Sequence, residues 1–576
     1  MCYNKQEKMR LHNKPIYRFS PSLITGIFFA LLIIAPCDIF GQDIASLKDA
    51  RPFSISGNFG VSSVFYNVKG RKANREPFSW TLTGAPVISL YGISFPFSFT
   101  VSEQERSFSQ PFNQYGVSPS YKWAKLHLGY SNLQFSPYTL GGHSIMGAGF
   151  ELNPGKVRLG FIYGRLLRPV QYSDTVSVTP SYKRTGFSAK IGYGTADNYV
   201  DLIILRGQDF KNSIKNVSEL EITPAENVVW SVVTNQRITK WLTFSGEFAQ
   251  SVYTKDIRLD SVFQGFKNNS TFVSDLLIKT NSSTIKSNVI DGNLMLGNDN
   301  YKLGLHYKRI GPDYESMGAY YFQNDVRNIT IEPSARLFDS KLSLSGSLGF
   351  QTDNLSDSAD FRTNRTIGSA HATWQPSQKL QTDVMYSNYD LGQRAGIAAI
   401  DTLSKISQTT NNIVVNQSLF LTSETMSNSF MVSLNYQKLT DHNSHTAENS
   451  EYSTTVLFAS WFMTLINSGL STGISFNYSV FDMSVVKTEY LGPSVTVSKG
   501  FFKQKLNLSL YCSGYLNKSN DELTNTIMQS GFRGSYKLAK KHKIQIKYSL
   551  TKSFAEVSTF KSYTENKGEV SYVYSF

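Results

Sequence analysis

Cysteine is almost absent from these 576 residues: Cys2, Cys37 and Cys512 are the whole set. The first two fall in a stretch that reads as an export signal. One thiol then remains, which excludes an internal disulfide and a cysteine-based metal site. Charge is scarce as well, 17% of residues, where an ordinary soluble domain carries about 25%. Proline (18) and glycine (40) are too few for a disordered or collagen-like chain. After residue 42 no run of 18 apolar residues occurs. Mean hydropathy is slightly negative. Together these exclude a polytopic helical membrane protein. What is abundant is aromatic: 32 Tyr and 39 Phe. A charge-poor, aromatic-rich chain without helical spans has the composition of a membrane β-barrel, with one apolar and one polar face.

Residues 1–42 have the three parts of a secretory signal. Lys5, Lys8, Arg10, Lys14 and Arg18 form a basic start. Leu23–Ala35 is a 13-residue apolar run, short of the roughly 20 residues that span a bilayer. Cleavage is expected near Gly41/Gln42. Pro36 stands before Cys37 where a lipidation signal would place a small residue, so a lipoprotein is not expected. The expected domains are the signal, 1–42, and one barrel domain, 43–576.

Strict alternation recurs to the C-terminus. In Lys341–Gln351, Leu342, Leu344, Gly346, Leu348 and Phe350 oppose Ser343, Ser345, Ser347, Gly349 and Gln351. In 505–515, Leu506, Leu508, Leu510 and Cys512 oppose Asn507, Ser509, Tyr511 and Ser513. A strand sends successive side chains to opposite faces, so a wall between lipid and water requires this pattern. A soluble sandwich also alternates, but its solvated face usually carries more Lys and Glu.

Connection lengths alternate too. Short turn signals lie near Asn153-Pro154-Gly155, Ala196-Asp197-Asn198, Thr239-Lys240, Gly297-Asn298-Asp299, Asp339-Ser340, Pro376-Ser377, Glu424–Asn428, Asn467-Ser468-Gly469, Lys499-Gly500 and Lys540-Lys541. Longer polar connections lie between them: 170–183, 208–225, 254–287, 311–323, 352–366, 389–411, 440–450, 517–524 and 553–567. Short turns on one side and long loops on the other organise outer-membrane barrels. The pattern predicts an all-β, antiparallel transmembrane barrel of about 24 strands, within 20–26. About four of these fall in 52–152: 53–66, a strand or two within 78–101, 122–134 and 143–152. Both termini are expected on the short-turn, periplasmic side.

The last residues, GEVSYVYSF, resemble the terminal strand recognised by the outer-membrane barrel-assembly machinery, with Tyr572, Tyr574 and Phe576 as the signal. The signal peptide ending FGQ is similar to those of Bacteroidetes-type exported proteins. Residues 111–123 (PFNQYGVSPSYKW) and 126–155 resemble a segment of large, poorly characterised outer-membrane barrels of that group. The resemblance implies a barrel in the cell outer membrane and names no substrate. TonB-dependent receptors are similar in strand number but carry an N-terminal plug, for which the strand pattern beginning at Phe53 leaves no room.

No HExxH or GxxxxGK[ST] motif and no nucleophile elbow is present (the GxSxG spacing at Gly469–Gly473 falls at a short turn before an alternating strand run), and no enzyme activity and no cofactor are expected. His442 and His445 beside Asp441 and Glu448 read as a solvated loop, and Asp353–Asp360 lacks the calcium-loop Gly and Glu. Basic residues are dispersed without a nucleic-acid motif, so no nucleic-acid partner is expected. Opposite the apolar faces stand Lys125, His127, Arg158, Lys302, His306, Lys308, Arg533, Lys537, Lys543 and Lys547. A charge on the lipid face costs about 2–4 kcal/mol near the midplane, which turns these ten toward the lumen. The expected function is passage: a pore or conduit for solute or protein, gated by the 254–287 loop or by a separate plugging or secretion partner. The alternative is a display or adhesion anchor, or an accessory barrel of a secretion machine.

Overall fold

Alternating apolar and small polar residues pair antiparallel from Phe53 to Ser575 in the computed structural model. It describes residues 52–103, 113–172, 179–215, 222–259, 277–319, 323–395 and 405–576. The expected signal, 1–42, lies outside them. No helix among the described residues is long and apolar enough to cross a membrane.

The wall is built, in chain order, from Phe53–Ser56 continuing as Asn58–Lys69, Phe78–Gly84 continuing as Val87–Leu90, Ile93–Ser102, Gln114–Val117 continuing as Ser120–Tyr121, Ala124–Ser131, Ile145–Leu152, Val157–Leu167, Arg184–Gly194, Asn198–Asp209, Glu226–Thr239, Leu242–Thr254, Thr284–Gly297, Tyr301–Ile310, Val326–Leu337, Leu342–Asp353, Phe361–Ser377, Leu380–Ala395, Ser407–Thr422, Met426–Asp441, Tyr452–Leu465, Leu470–Met483, Lys487–Phe501, Leu506–Ser519, Glu522–Ala539, His542–Ala555 and Tyr563–Ser575. Asn58–Lys69 pairs with Phe78–Gly84 on one side and with Tyr563–Ser575 on the other, from Asn58↔Ser575 to Lys69↔Thr564. That ladder closes the sheet into a barrel of 26 antiparallel strands.

The count stands at the upper end of the expected 20–26, and the strands beyond 24 lie before residue 152. Segment 78–101 forms two strands, the upper of the one or two expected, and Gln114–Tyr121 forms another where none was expected. Proline hid it. Pro86 and Pro119 interrupt two wall strands, and Pro96 sits inside a third. Proline lacks the N–H that a ladder needs, so it reads as a loop signal in sequence. Gly57 interrupts the first strand with φ +104°; a Cβ there would stand 2.2 Å from the Ala85 carbonyl oxygen.

Two turns shift. Phe361–Ser377 runs through Pro376-Ser377, and Lys487–Phe501 runs through Lys499-Gly500, so the turns follow at 378–379 and 502–505. The long loop expected at 517–524 is instead a two-residue hairpin. Asn520 and Asp521 adopt φ +49° and +65°, as the tight hairpin turn matching strand twist requires.

Candidate functional site

Cross-strand partners share a face, so register carries one face around the whole barrel. Ile162 is fully buried while its neighbour Tyr163 is 58% exposed. Exposed apolar residues continue on the outer side through Leu202, Leu303, Leu348, Leu510 and Val570. The inner side is covered unevenly. Apart from Tyr66, every buried apolar residue lies between Leu133 and Val326. From Leu342 to Ser575 the buried residues are polar and few, such as Ser460, Ser513 and Asn525.

Two connections cover the first sector. Residues 132–144 follow Ala124–Ser131, and 311–319 follow Tyr301–Ile310. Leu133, Phe135, Tyr138 and Leu140 from the former and Tyr314 and Met317 from the latter form one core with the wall residues Ile162, Ile203, Leu205, Val229 and Val289. Each fully buried apolar side chain contributes about 1.5–3 kcal/mol to such docking. The connections cross at Gly141 and Gly318, where the Gly141 N–H donates to the Gly318 carbonyl at 3.0 Å. A Cβ on Gly318 would lie 2.6 Å from the Thr139 carbonyl oxygen and 2.3 Å from Leu205 Cδ1. The Tyr314 hydroxyl donates to the Tyr138 carbonyl (3.1 Å), and the Ser316 hydroxyl to the Thr139 carbonyl (2.8 Å).

Both connections are fastened to the wall. The Thr139 hydroxyl bonds Ser231 at 2.9 Å, Ser136 bonds Glu247 and Tyr138 bonds Asp291. Asn227 receives the Met317 N–H at 3.0 Å, and the Ser251 hydroxyl donates to the Glu315 carbonyl at 2.6 Å. His143 is buried and donates from Nε2 to the Leu166 carbonyl at 2.8 Å. Burial, helped by nearby Arg184 and opposed by that bond, lowers its pKa to about 4. Burial pushes the Tyr314 hydroxyl well above the usual tyrosine range. Beside these loops, six glycines stand as successive cross-strand partners: Gly116, Gly129, Gly147, Gly164, Gly186 and Gly207. Met317 lies over the last, where a Cβ would come within 2.9 Å of its side chain. The missing side chains let a covering loop approach the wall backbone.

The ten basic residues expected to face the lumen all lie on the strand face opposite the exposed apolar residues. Five of them have carboxylate partners. Glu151 accepts from His127 Nε2 at 3.0 Å and lies 3.7 Å from Lys125. Arg158 grips Asp201 through two bonds of 2.8 and 2.9 Å. His306 meets Asp291 at 2.7 Å, and Lys547 meets Glu569 at 2.8 Å. The first three sites lie in the covered sector. Lys302, Lys308, Arg533, Lys537 and Lys543 make no ion pair among the described residues. Lys302, Glu332, Ser334, Ser345, Ser369 and His371 line a groove of about 310 Å³.

Residues 260–276 of the loop expected to gate lie outside the described residues. Its described base packs Ile278 against Val228 and Val252. The covering connections 132–144 and 311–319 were not expected. Their signal was available: Leu133, Phe135, Tyr138, Leu140, Tyr314 and Met317 are bulky apolar residues in connections that would otherwise be solvated. Asp441 accepts from Thr446 and Ser450 and orders its loop. No group of three or more metal-ligating side chains occurs among the described residues. At the C-terminus, Tyr574 stacks edge-on with Phe576, and the Tyr572 hydroxyl bonds His542 Nδ1 at 2.7 Å.

No family model matches the chain, and no curated relative matches it. Among solved structures it is similar to PapC, the P pilus usher translocation pore, at 11% identity and TM-score 0.35, covering 91% of this chain and 99% of that one. It is similar to OccAB3 of Acinetobacter baumannii at 10% identity and TM-score 0.31, covering 66% of this chain and all of the other. It is similar to OmpT, an outer membrane protein of Vibrio cholerae, at 10% identity and TM-score 0.25, covering 66% and 99%. Likenesses this distant carry no argument, and the barrel rests on its own closed ladder of hydrogen bonds.

Proposed function

We propose that this chain is an outer-membrane barrel that passes solute or protein through its lumen and narrows that lumen with its own connections 132–144 and 311–319. The observation that carries the reading is the one-sided burial. Apolar packing fills the interior beside the strands from Ala124–Ser131 to Val326–Leu337, and the remaining inner wall keeps small polar side chains open to water. An interior built only to be solid would bury apolar residues all round.

The outward apolar band, including Tyr163, Ile191, Leu202, Leu510 and Val570, is the surface that lipid would cover. Both described ends of the chain lie at the short-turn end, which we assign to the periplasm. Tyr572, Tyr574 and Phe576 are assigned to recognition by the assembly machinery, and the ten basic residues to the lumen wall. Nothing in this reading requires catalysis.

Planar-bilayer recording tests it. The wild type is expected to give small or intermittent steps. A variant in which 133–141 is replaced by a short Gly-Ser linker is expected to give large, steady ones. Silence from both, with folding verified by heat-modifiable gel mobility, overturns the conduit and favours a display anchor or an accessory barrel.

A further inference from the structure

We infer that the open side of the lumen holds a binding site for small polyanions, solutes carrying two or more carboxylate or phosphate groups, centred on Arg533, Lys537, Lys543 and Lys547. This rests on the conduit reading and names its solute class.

Register is the first observation. Lys537 and Lys543 are direct cross-strand partners, and so are Arg533 and Lys547. All four project from the same face, two like-charged pairs on adjacent strands. Like charges directly opposite each other destabilise a sheet. Only Lys547 has a carboxylate beside it, Glu569 at 2.8 Å. The other three make no ion pair among the described residues. On the same face Arg158 is neutralised by Asp201 and Arg184 by Asp209, each through a close ion pair. At this site three of four neighbouring cations are left without a carboxylate partner among the described residues.

The surroundings are the second observation. Cross-strand neighbours on this face are Ser509 beside Arg533, Gln545 beside Ser535, and Ser571 beside Gln545. These are hydrogen-bonding groups without charge, suited to hold the oxygens of a bound anion between the cations. Arg533 and Lys537 are exposed and Lys543 is half-buried. The third observation is the mouth. Spans 499–508, 533–547 and 569–576, adjacent in register, hold nine Lys or Arg against one acidic side chain, Glu569. Lys503, Lys505, Lys540 and Lys541 sit in or beside the short turns there. Clustered like charge at a pore mouth with low-dielectric walls concentrates counter-ions.

The test is tripolyphosphate block of single channels in a planar bilayer, with reversal potentials in a KCl gradient, on the loop-shortened protein with and without Arg533→Gln, Lys537→Gln and Lys543→Gln. The parent is expected to be anion-selective and to be blocked by tripolyphosphate added on the short-turn side. The triple variant is expected to need roughly tenfold more blocker and to lose selectivity, as three screened unit charges are removed. Lys302→Gln with Lys308→Gln serves as control and is expected to leave block within about twofold. Conducting channels whose block is unchanged in the triple variant overturn the site while leaving the conduit standing. Block by an acidic peptide but not by tripolyphosphate also overturns it, in favour of a protein partner. Absence of conductance in the parent overturns both.

Discussion

Gly318 occupies the crossing of two connections, with the Thr139 carbonyl 2.6 Å from where a Cβ would be. Backbone cannot yield as a flexible side chain can. Gly318→Val is therefore expected to part the crossing and raise open probability in bilayer recordings, without changing heat-modifiable mobility of the barrel. His143 acts at the same scale. Its folded pKa, about 4, lies below the usual 6.5. The docked form therefore keeps its full advantage above pH 6.5 and loses it as pH falls toward 4, because the undocked imidazole takes up a proton that the docked one resists. At roughly 1.4 kcal/mol per unit, the loss approaches about 3 kcal/mol. Openings are expected to become more frequent across that window. His143→Gln, which keeps a donor for the Leu166 carbonyl, is expected to flatten the response. An unchanged pH profile in that variant would remove His143 from the account.

Connections behave as elements here, and the two that fill the barrel differ in kind from those that only join strands. The 132–144 connection touches the wall through the Thr139–Ser231 pair at 2.9 Å. Thr139→Cys with Ser231→Cys, in a Cys512→Ser background, is expected to form a disulfide and hold the channel in its low-conductance state until a reductant is added. Conductance insensitive to reductant, with the disulfide verified by mass spectrometry, would show that this connection does not gate. Strand placement was legible for most elements because alternation is local. Fourteen strands from 298 onward and six from 155 to 297 match the expected spacing. The miss at Gln114–Tyr121 came from Pro119, whose local signal is a break even when neighbours on both sides continue the sheet.

At the scale of the whole molecule, the two faces of the wall impose different costs. Leu510 is 62% exposed on the outer face, beside the inward Ser509. Leu510→Arg is expected to lower barrel stability by about 2–4 kcal/mol if it sits near the bilayer midplane. Ser509→Arg is expected to be tolerated. Urea titration in lipid vesicles distinguishes the two, and equal effects would contradict the assignment of faces. The basic residues expected along the lumen divide at this scale as well. Beside the filled sector Lys125, His127, Arg158 and His306 are paired with Glu151, Asp201 and Asp291 while Lys302 and Lys308 are not, and in the open sector only Lys547 is paired.

Sequence by itself determined the periodicity: which residues alternate, where most turns fall, and that one face would be apolar. These follow from the two-residue repeat of a strand and need no partner. It determined which side of each strand carries Lys and Arg, but not which of them are neutralised. Pairing depends on register between strands that can lie far apart in the chain, as with Arg158 and Asp201. Tertiary structure alone decided that six glycines fall in one cross-strand row, that 132–144 and 311–319 meet, and that the lumen is filled on one side only. Contacts between distant connections are set by the closure of the barrel around them, and no local pattern encodes a closure.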